Sequence, residues 1–158
     1  MRDTNWFKGE SPEHYSKSVV VSFSDRWQPL LRENRIKLVL RRRVPKTFVA
    51  NTMFLYIGSP TSCVIGVASI LRIEHLSRIE ANSEMQGACI SEKEIAEYFE
   101  GYSEIGAYRI SNIRFFKEDL PFKFLKREAG FSPPQSFVRI SKQANDWFMG
   151  HALESANG

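Results

Sequence analysis

The stretch from Ile36 to Arg43 constrains the fold most, because its apolar residues alternate with a period of two. Such alternation is the signature of a half-buried strand, and Pro45 ends it because proline lacks the backbone N–H that a sheet requires. One face of this strand carries Ile36, Leu38 and Leu40, and the other carries Lys37, Val39, Arg41 and Arg43. The chain must therefore supply neighbouring strands and a core that covers the apolar face.

Further runs of apolar, β-branched and aromatic residues predict five more strands. The run Val19–Val21 is continuous, which favours a strand buried on both faces. The five predicted strands are Ser18–Ser24, Thr52–Ile57, Val64–Ile73, Ile105–Phe116 and Ser136–Ile140.

Capping signals and helical spacing predict four helices. The clearest follows Ser91, which forms a capping box with Glu94. Because regular helices do not separate the strands, a doubly wound sheet is not favoured. We expect an α+β fold, a small mixed β-barrel with flanking helices. The other helices start at Ser24 or Asp25 and end near Asn34, span Asp119–Ala129, and follow Ser141.

The length of 158 residues indicates one compact domain, which we expect over residues 18–152. Residues 1–17 are polar and interrupted by Gly9 and Pro12, so we predict a flexible N-terminal arm there, and a frayed tail over residues 153–158. The sequence has neither the apolar stretch of a signal peptide nor a run long enough to span a bilayer. We therefore expect a cytoplasmic protein with no membrane partner.

Positive charge is concentrated in one part of the chain, although the net charge is only +4. Cations two residues apart on a strand repeat at about 7 Å, a spacing that matches successive phosphates of a nucleic acid. Alternatively, a basic strand is a solvated edge that resists aggregation. We favour phosphate binding, because no acidic residue interrupts the cluster. Its six cations are Arg35, Lys37, Arg41, Arg42, Arg43 and Lys46.

Several aromatic residues are candidates for stacking on bases, although aromatic residues in a domain of this size are more often part of the core. The two cysteines and three histidines lack metal-ligand spacing, so we predict neither a metal nor a cofactor. The serines near His75 lack the elbow motif of a hydrolase nucleophile. The aromatic candidates are Trp27, Phe48, Phe54, Tyr56, Tyr102 and Tyr108.

Six motifs follow one another along the chain, namely Val19–Ser24, Arg35–Arg43, Phe54–Pro60, Val64–Gly66, Ile90–Gly101 and Pro133–Phe137. Their order resembles the ASCH domain family, which belongs to the PUA-like superfamily. The resemblance covers about Ser18 to Ser141 and implies a PUA-like β-barrel with a cleft beside the basic strand. It also implies binding of RNA or another nucleic acid, in some members linked to transcription or translation control.

Two departures from the family pattern bear on activity. Some small members hydrolyse a modified cytidine, and others are nucleases. In the amidohydrolases, the position matching Ile36 is the working lysine, and the position matching Val39 is a hydroxyl residue. Neither Ile nor Val transfers protons. The basic run is kept, and Ser59 matches the Ser-Pro loop, so the resemblance implies a cleft that binds without catalysing. The predicted nucleic-acid-binding residues are Lys37, Arg41, Arg42, Arg43, Lys46 and Ser59.

Three hypotheses stay open from the sequence. The first is a nucleic-acid-binding module, with RNA as the expected partner. The second is a small hydrolase of the same fold, either an amidohydrolase of modified cytidine or a ribonuclease. The third is a protein-interaction module that uses Trp147 and the terminal helix to contact a partner.

Overall fold

The structure, a computed structural model, describes residues 7–157 and contains six strands and six α-helices in that range. Two short 3₁₀ turns, Pro12–His14 and Asp25–Trp27, precede β1 and α1. The strands are β1 (Tyr15–Phe23), β2 (Leu38–Arg41), β3 (Thr52–Ile57), β4 (Cys63–Ser77), β5 (Glu104–Pro121) and β6 (Phe137–Ser141). The helices are α1 (Gln28–Arg32), α2 (Arg78–Asn82), α3 (Met85–Ala88), α4 (Glu92–Tyr98), α5 (Phe122–Ala129) and α6 (Lys142–Asn157).

All six strands form one sheet in the order β2-β5-β4-β3-β1-β6, in which only β1 and β3 are parallel. The pairing of β4 with β5 shifts register three times, and such irregularities bend a sheet. The predicted α+β class with flanking helices is confirmed. Within residues 7–157 the sheet is not closed into a complete barrel, because β2 and β6 form its edges without pairing with each other.

Hydrophobic side chains cover both faces of the sheet. In β1, Val19 and Val21 belong to the larger core, whereas Val20 belongs to a second core built with α5 and α6. Phe54 and Phe148 lie at the centre of that second core with ring centroids 4.7 Å apart. The continuous apolar run therefore forms a strand buried on both faces, as predicted.

Three predicted helix-end signals are confirmed, whereas the predicted start of the helix Asp119–Ala129 is wrong, because residues 119–121 continue β5 and α5 begins at Phe122. The Ser91 hydroxyl accepts a hydrogen bond from the Glu94 N–H, and the Glu94 carboxylate accepts one from the Ser91 N–H. Gly130 adopts a φ of +71° directly after α5, a conformation in which glycine avoids the Cβ clash. The Ser141 hydroxyl accepts a hydrogen bond from the Ala144 N–H and caps α6.

Several boundaries differ from the sequence prediction. The strand predicted over residues 36–43 is shortened to β2, and Val39 is 3% exposed because apolar neighbours cover both faces. The ordered chain begins earlier than residue 18, because β1 starts at Tyr15 and Phe7 is buried among aromatic rings. Residues 1–6 of the predicted arm lie outside the described residues, and the backbone of α6 is helical to Asn157. The flexibility predicted for the arm and the tail stays a prediction.

The sequence prediction also missed α2 and α3. The first of these helices has a complete capping box between Ser77 and Glu80. Among the described helices, none combines the length and the apolar character needed to cross a membrane.

Candidate functional site

An open cleft of about 740 Å³ lies between the end of β2, helix α4 and the segment that precedes β6. Three consecutive arginines line this cleft: Arg41, which is the last residue of β2, and then Arg42 and Arg43. The residues that line it are Ser24, Arg26, Trp27, Arg41, Arg42, Arg43, Glu94, Glu97, Tyr98, Gln135 and Ser136.

The cleft occupies the seam where the curled sheet brings its two edges together. Arg41, at the end of β2, donates a hydrogen bond of 3.0 Å to the Ser22 carbonyl oxygen on β1. Ser136, just before β6, donates a hydrogen bond of 3.1 Å to the Arg43 carbonyl oxygen. These side-chain contacts replace the strand pairing that would close a barrel, and they leave room between the edges for a ligand.

Arg41 is the most enclosed cation of the cleft. Its guanidinium lies 4.8 Å from the centre of the Phe23 ring and also donates to the Leu40 carbonyl oxygen at 2.7 Å. Burial lowers the pKa of Arg41, and the nearby Tyr98 and Tyr108 hydroxyls partly offset that effect. An arginine stays protonated in proteins even so. Arg41 therefore places a fixed positive charge against the wall of the cleft.

Arg42 follows β2, and its side chain contacts the C-terminal end of α4. It donates to the carbonyl oxygens of Tyr98 at 2.9 Å and Glu97 at 2.7 Å, and it stacks on Tyr102 at 4.9 Å. The last carbonyls of a helix have no partner within the helix and carry partial negative charge. Arg42 therefore holds the C-terminal end of α4 beside the basic segment, one residue after the end of β2.

Arg43 is exposed, and its guanidinium forms no hydrogen bond or ion pair with any residue in the described range 7–157. Only its main-chain carbonyl is engaged, by Ser136. Arg43 is thus the cation of the cleft whose donors are most available to a ligand.

Arg26 and Trp27 form the opposite wall. The Arg26 guanidinium lies 4.1 Å from the centre of the Trp27 ring and pairs with the Glu94 carboxylate at 2.6 Å. Trp27 is only 8% exposed, because its ring belongs to the larger core and Arg26 lies over it. An indole ring at the wall of a cationic cleft has the shape and polarisability to stack on a nucleobase.

The structure brings together only part of the predicted binding set. Arg41, Arg42 and Arg43 line the cleft, whereas Lys37, Lys46 and Ser59 do not. Lys37 points toward the end of α1, where its ammonium group donates to the Asn34 side chain at 3.2 Å. Because β2 ends at Arg41, the predicted row of Lys37, Arg41 and Arg43 on one strand face does not form.

Ser59 lies in the β3–β4 loop, before a cis bond to Pro60, and Lys46 follows the buried residues Val44 and Pro45. The sequence prediction missed the contributions of α4 and of residues 135–136, because these segments are distant along the chain. The sequence does carry one signal for the wall formed by Arg26 and Trp27, because a cation directly precedes an aromatic residue there.

The positions that carry catalytic groups in the family's amidohydrolases are apolar and buried. Ile36 is 2% exposed and Val39 is 3% exposed. Both line a small recess of about 10 Å³ beside Arg41, with room for about one water molecule. In the described part of the chain, no group of three or more His, Cys, Asp or Glu side chains is arranged to hold a metal ion.

Most of the candidate stacking aromatics belong to the cores. Phe54, Tyr56 and Tyr108 are buried, and Phe48 packs against the larger core. The Tyr108 hydroxyl is buried without a hydrogen-bond partner among the described residues, and its burial raises the pKa of the phenol, an effect that Arg41 partly offsets. Of the six candidates, only Trp27 lines the cleft.

The fold is similar to solved structures, although no protein-family model and no curated protein matches the sequence. The ASCH protein from Zymomonas mobilis has a TM-score of 0.76 and 24% identity over 85% of this chain and 94% of that one. A point mutant of the same protein gives a TM-score of 0.78 at 22% identity, over 89% and 98% of the two chains. This chain has the ASCH fold. The predicted resemblance is therefore confirmed at the level of the fold.

The fold of this chain is also similar, more distantly, to a second solved domain. The N-terminal domain of McrB from Staphylothermus marinus has a TM-score of 0.56 and 12% identity, over 90% of this chain and 98% of that domain. These three comparisons cover 85–90% of this chain.

Proposed function

We propose that the cleft binds single-stranded nucleic acid, with RNA as the preferred partner. The observation that carries this proposal is the convergence of Arg41, Arg42 and Arg43 on one cleft, without an ion pair to a carboxylate among the described residues. The cleft contains four arginines and two glutamates, which leaves a net charge of +2. Such a site attracts phosphate groups, which dominate the affinity of proteins for nucleic acids.

The hydrogen-bonding capacity of the cleft supports phosphate binding. A guanidinium has five N–H donors. Arg41 and Arg42 each direct two of their nitrogens to protein carbonyls, and these bonds hold both guanidinium planes in place and use only part of their N–H donors. Planar guanidinium groups bind phosphate oxygens in pairs. The two fixed arginines and the free Arg43 thus offer a sequence of phosphate contacts along the cleft.

The size of the cleft supports a single strand as the partner. A volume of about 740 Å³ falls within the range of small-molecule pockets and accommodates a nucleotide, but not a duplex. Trp27 offers a surface for base stacking, and Gln135 and Ser136 offer donors and acceptors to base edges or to a 2′-hydroxyl. Proteins read single-stranded RNA through this combination.

The other two hypotheses receive less support. A hydrolase needs groups that transfer protons, and the two family positions hold the buried side chains of Ile36 and Val39. An interaction module would need an available Trp147, but its ring packs against Phe124 at 6.0 Å and His151 at 4.7 Å. We therefore propose a binding module, with a regulatory role in transcription or translation as the resemblance implies.

The test is a fluorescence-anisotropy titration of labelled single- and double-stranded RNA and DNA at two salt concentrations. Binding of single-stranded RNA at micromolar or lower concentration, weakened by salt, is the expected result. Salt dependence separates phosphate contacts from apolar adsorption. No binding of any of the four oligonucleotides at low salt would overturn the proposal.

A further inference from the structure

The ion pair between Arg26 and Glu94 lies directly over the indole that faces the cleft. One guanidinium nitrogen of Arg26 is 2.6 Å from Glu94 Oε2, while the guanidinium itself covers the Trp27 ring at 4.1 Å. Arg26 is the one cleft arginine that is neutralised by a carboxylate in the described structure. In this arrangement its charge is compensated and the stacking surface is covered.

The pair is easily exchanged. The side chains of Arg26 and Glu94 are 51% and 33% exposed, and ion pairs with this exposure contribute little to stability. A nucleic-acid phosphate offers Arg26 a charge and hydrogen-bond acceptors equivalent to those of the carboxylate. Glu94 keeps its second oxygen on the Ser91 N–H at 3.2 Å, so α4 retains its cap when the pair opens.

We propose that Arg26 is a further nucleic-acid-binding residue, which exchanges Glu94 for a phosphate when a strand enters and thereby uncovers Trp27 for base stacking. This inference rests on the proposed function of the cleft. Glu94 acts as a competitor for Arg26, so the ion pair lowers the affinity of the free protein for a strand. A ligand without a phosphate does not replace Glu94 on Arg26. A ligand without the adjacent base does not stack on Trp27.

The substitution Glu94→Gln tests the competition directly. Glutamine at this position keeps the capping box, because its side-chain oxygen still accepts the Ser91 N–H. Its amide group no longer neutralises Arg26. Glu97→Gln is the matched control, because Glu97 lines the same cleft but binds Arg42 only through its main-chain oxygen. Glu80→Gln is a second control, since Glu80 forms the same kind of capping box on α2, outside the cleft.

We expect Glu94→Gln to raise the affinity for a single-stranded RNA oligonucleotide roughly two- to fivefold more than Glu97→Gln does, which is the range for loss of an exposed ion pair. Glu80→Gln leaves the affinity unchanged. In an Arg26→Ala background the excess gain disappears, because the two substitutions act through one contact. Far-ultraviolet circular dichroism confirms that each variant is folded.

The outcomes separate the two proposals. Wild-type binding with equal gains for Glu94→Gln and Glu97→Gln would overturn the exchange alone. An excess gain from Glu94→Gln that persists in the Arg26→Ala background would overturn it as well. Failure of the wild type and all variants to bind at low salt would overturn the proposed function, and with it the exchange.

Discussion

The Ser136 hydroxyl donates a hydrogen bond to the Arg43 carbonyl oxygen across 3.1 Å, and this contact joins the chain after β2 to the segment before β6. The two residues are 93 positions apart in the sequence. Together with the bond from Arg41 to the Ser22 carbonyl on β1, it connects the β2 side of the sheet to the β1–β6 side. The cleft is therefore a product of the fold's incomplete closure, and the basic segment lies along one side of it.

Replacement of Arg43 by alanine separates binding from stability. Because the Arg43 guanidinium has no protein partner in the described range, we expect a change in unfolding free energy within about 0.5 kcal/mol. The plot of log affinity for single-stranded RNA against log salt should become shallower by about 0.7, which corresponds to one lost phosphate contact. Arg78→Ala is the control, as it removes one exposed charge from α2, away from the cleft. An equal effect of both substitutions on the salt slope would contradict a local phosphate contact.

Replacement of Arg42 by alanine should lower the stability of the fold. Arg42 donates two hydrogen bonds to the last carbonyls of α4, so its loss removes both bonds and takes a cation from the helix C-terminus. We expect the unfolding free energy, measured by urea titration, to fall by about 1 kcal/mol. Arg43→Ala serves as the matched comparison. If the two variants were equally stable, the assignment of Arg42 to α4 would be wrong.

Two glycine-to-alanine substitutions should change the free energy of unfolding in opposite directions. A Cβ at Gly66 in β4 would lie 2.3 Å from the Arg114 carbonyl oxygen on β5, so Gly66→Ala should destabilise by about 2 kcal/mol or more. Gly150 lies in α6 with open space around the position that a Cβ would take, so Gly150→Ala should stabilise by about 0.5–1 kcal/mol. Urea unfolding of both variants tests the packing of β4 against β5. A tolerated Gly66→Ala would contradict the observed register.

The ionisation of Tyr108 should make the free energy of unfolding depend on pH in the alkaline range. Burial raises the pKa of its phenol above the ordinary value of about 10, so the unfolded chain releases this proton at a lower pH than the folded chain does. Above about pH 10 the unfolded chain is therefore favoured by ionisation of this phenol, and the unfolding free energy falls as the pH rises. Tyr108→Phe should therefore flatten the decline of unfolding free energy between about pH 10 and 11.

The same substitution should cost little at pH 7. The Tyr108 hydroxyl is buried without a described partner, and removal of such a group is close to neutral or stabilising by up to about 1 kcal/mol. Tyr102→Phe, at an exposed tyrosine, is the control. A loss of more than about 1 kcal/mol in Tyr108→Phe at pH 7 would show that the hydroxyl has a partner after all.

Local signals predicted much of the fold correctly. The capping box at Ser91, the glycine that ends α5 and the apolar run of β3 depend on residues close in sequence, so their patterns were sufficient. The capping box between Ser77 and Glu80 was an equally visible signal for α2, which the prediction missed. The polar residues at the start of β1 gave no periodic signal, because their pairing with β6 is a long-range contact.

The candidate site was only partly predictable for the same reason. The basic run marked one wall of the cleft, but nothing in that run reveals that β2 ends at Arg41 and that Arg42 contacts α4. The opposite wall comes from Arg26 and Trp27, and a third side comes from residues 135–136. Their meeting depends on the bending of the long β4–β5 pair, which is a property of the assembled sheet. Lys37 and Lys46 belong to the basic run in sequence but not to the cleft in space.

The most direct test of binding in the cleft is a ¹H–¹⁵N NMR titration with a short single-stranded RNA, which follows the indole N–H of Trp27 and the side-chain amide of Gln135. Both groups line the cleft, whereas Trp147 packs in the second core and serves as the internal reference. A Trp27→Phe variant assigns the indole signal. We predict that the Trp27 and Gln135 signals shift or broaden with added RNA while the Trp147 indole signal stays in place. Unchanged Trp27 and Gln135 signals in the presence of bound RNA would contradict binding in this cleft.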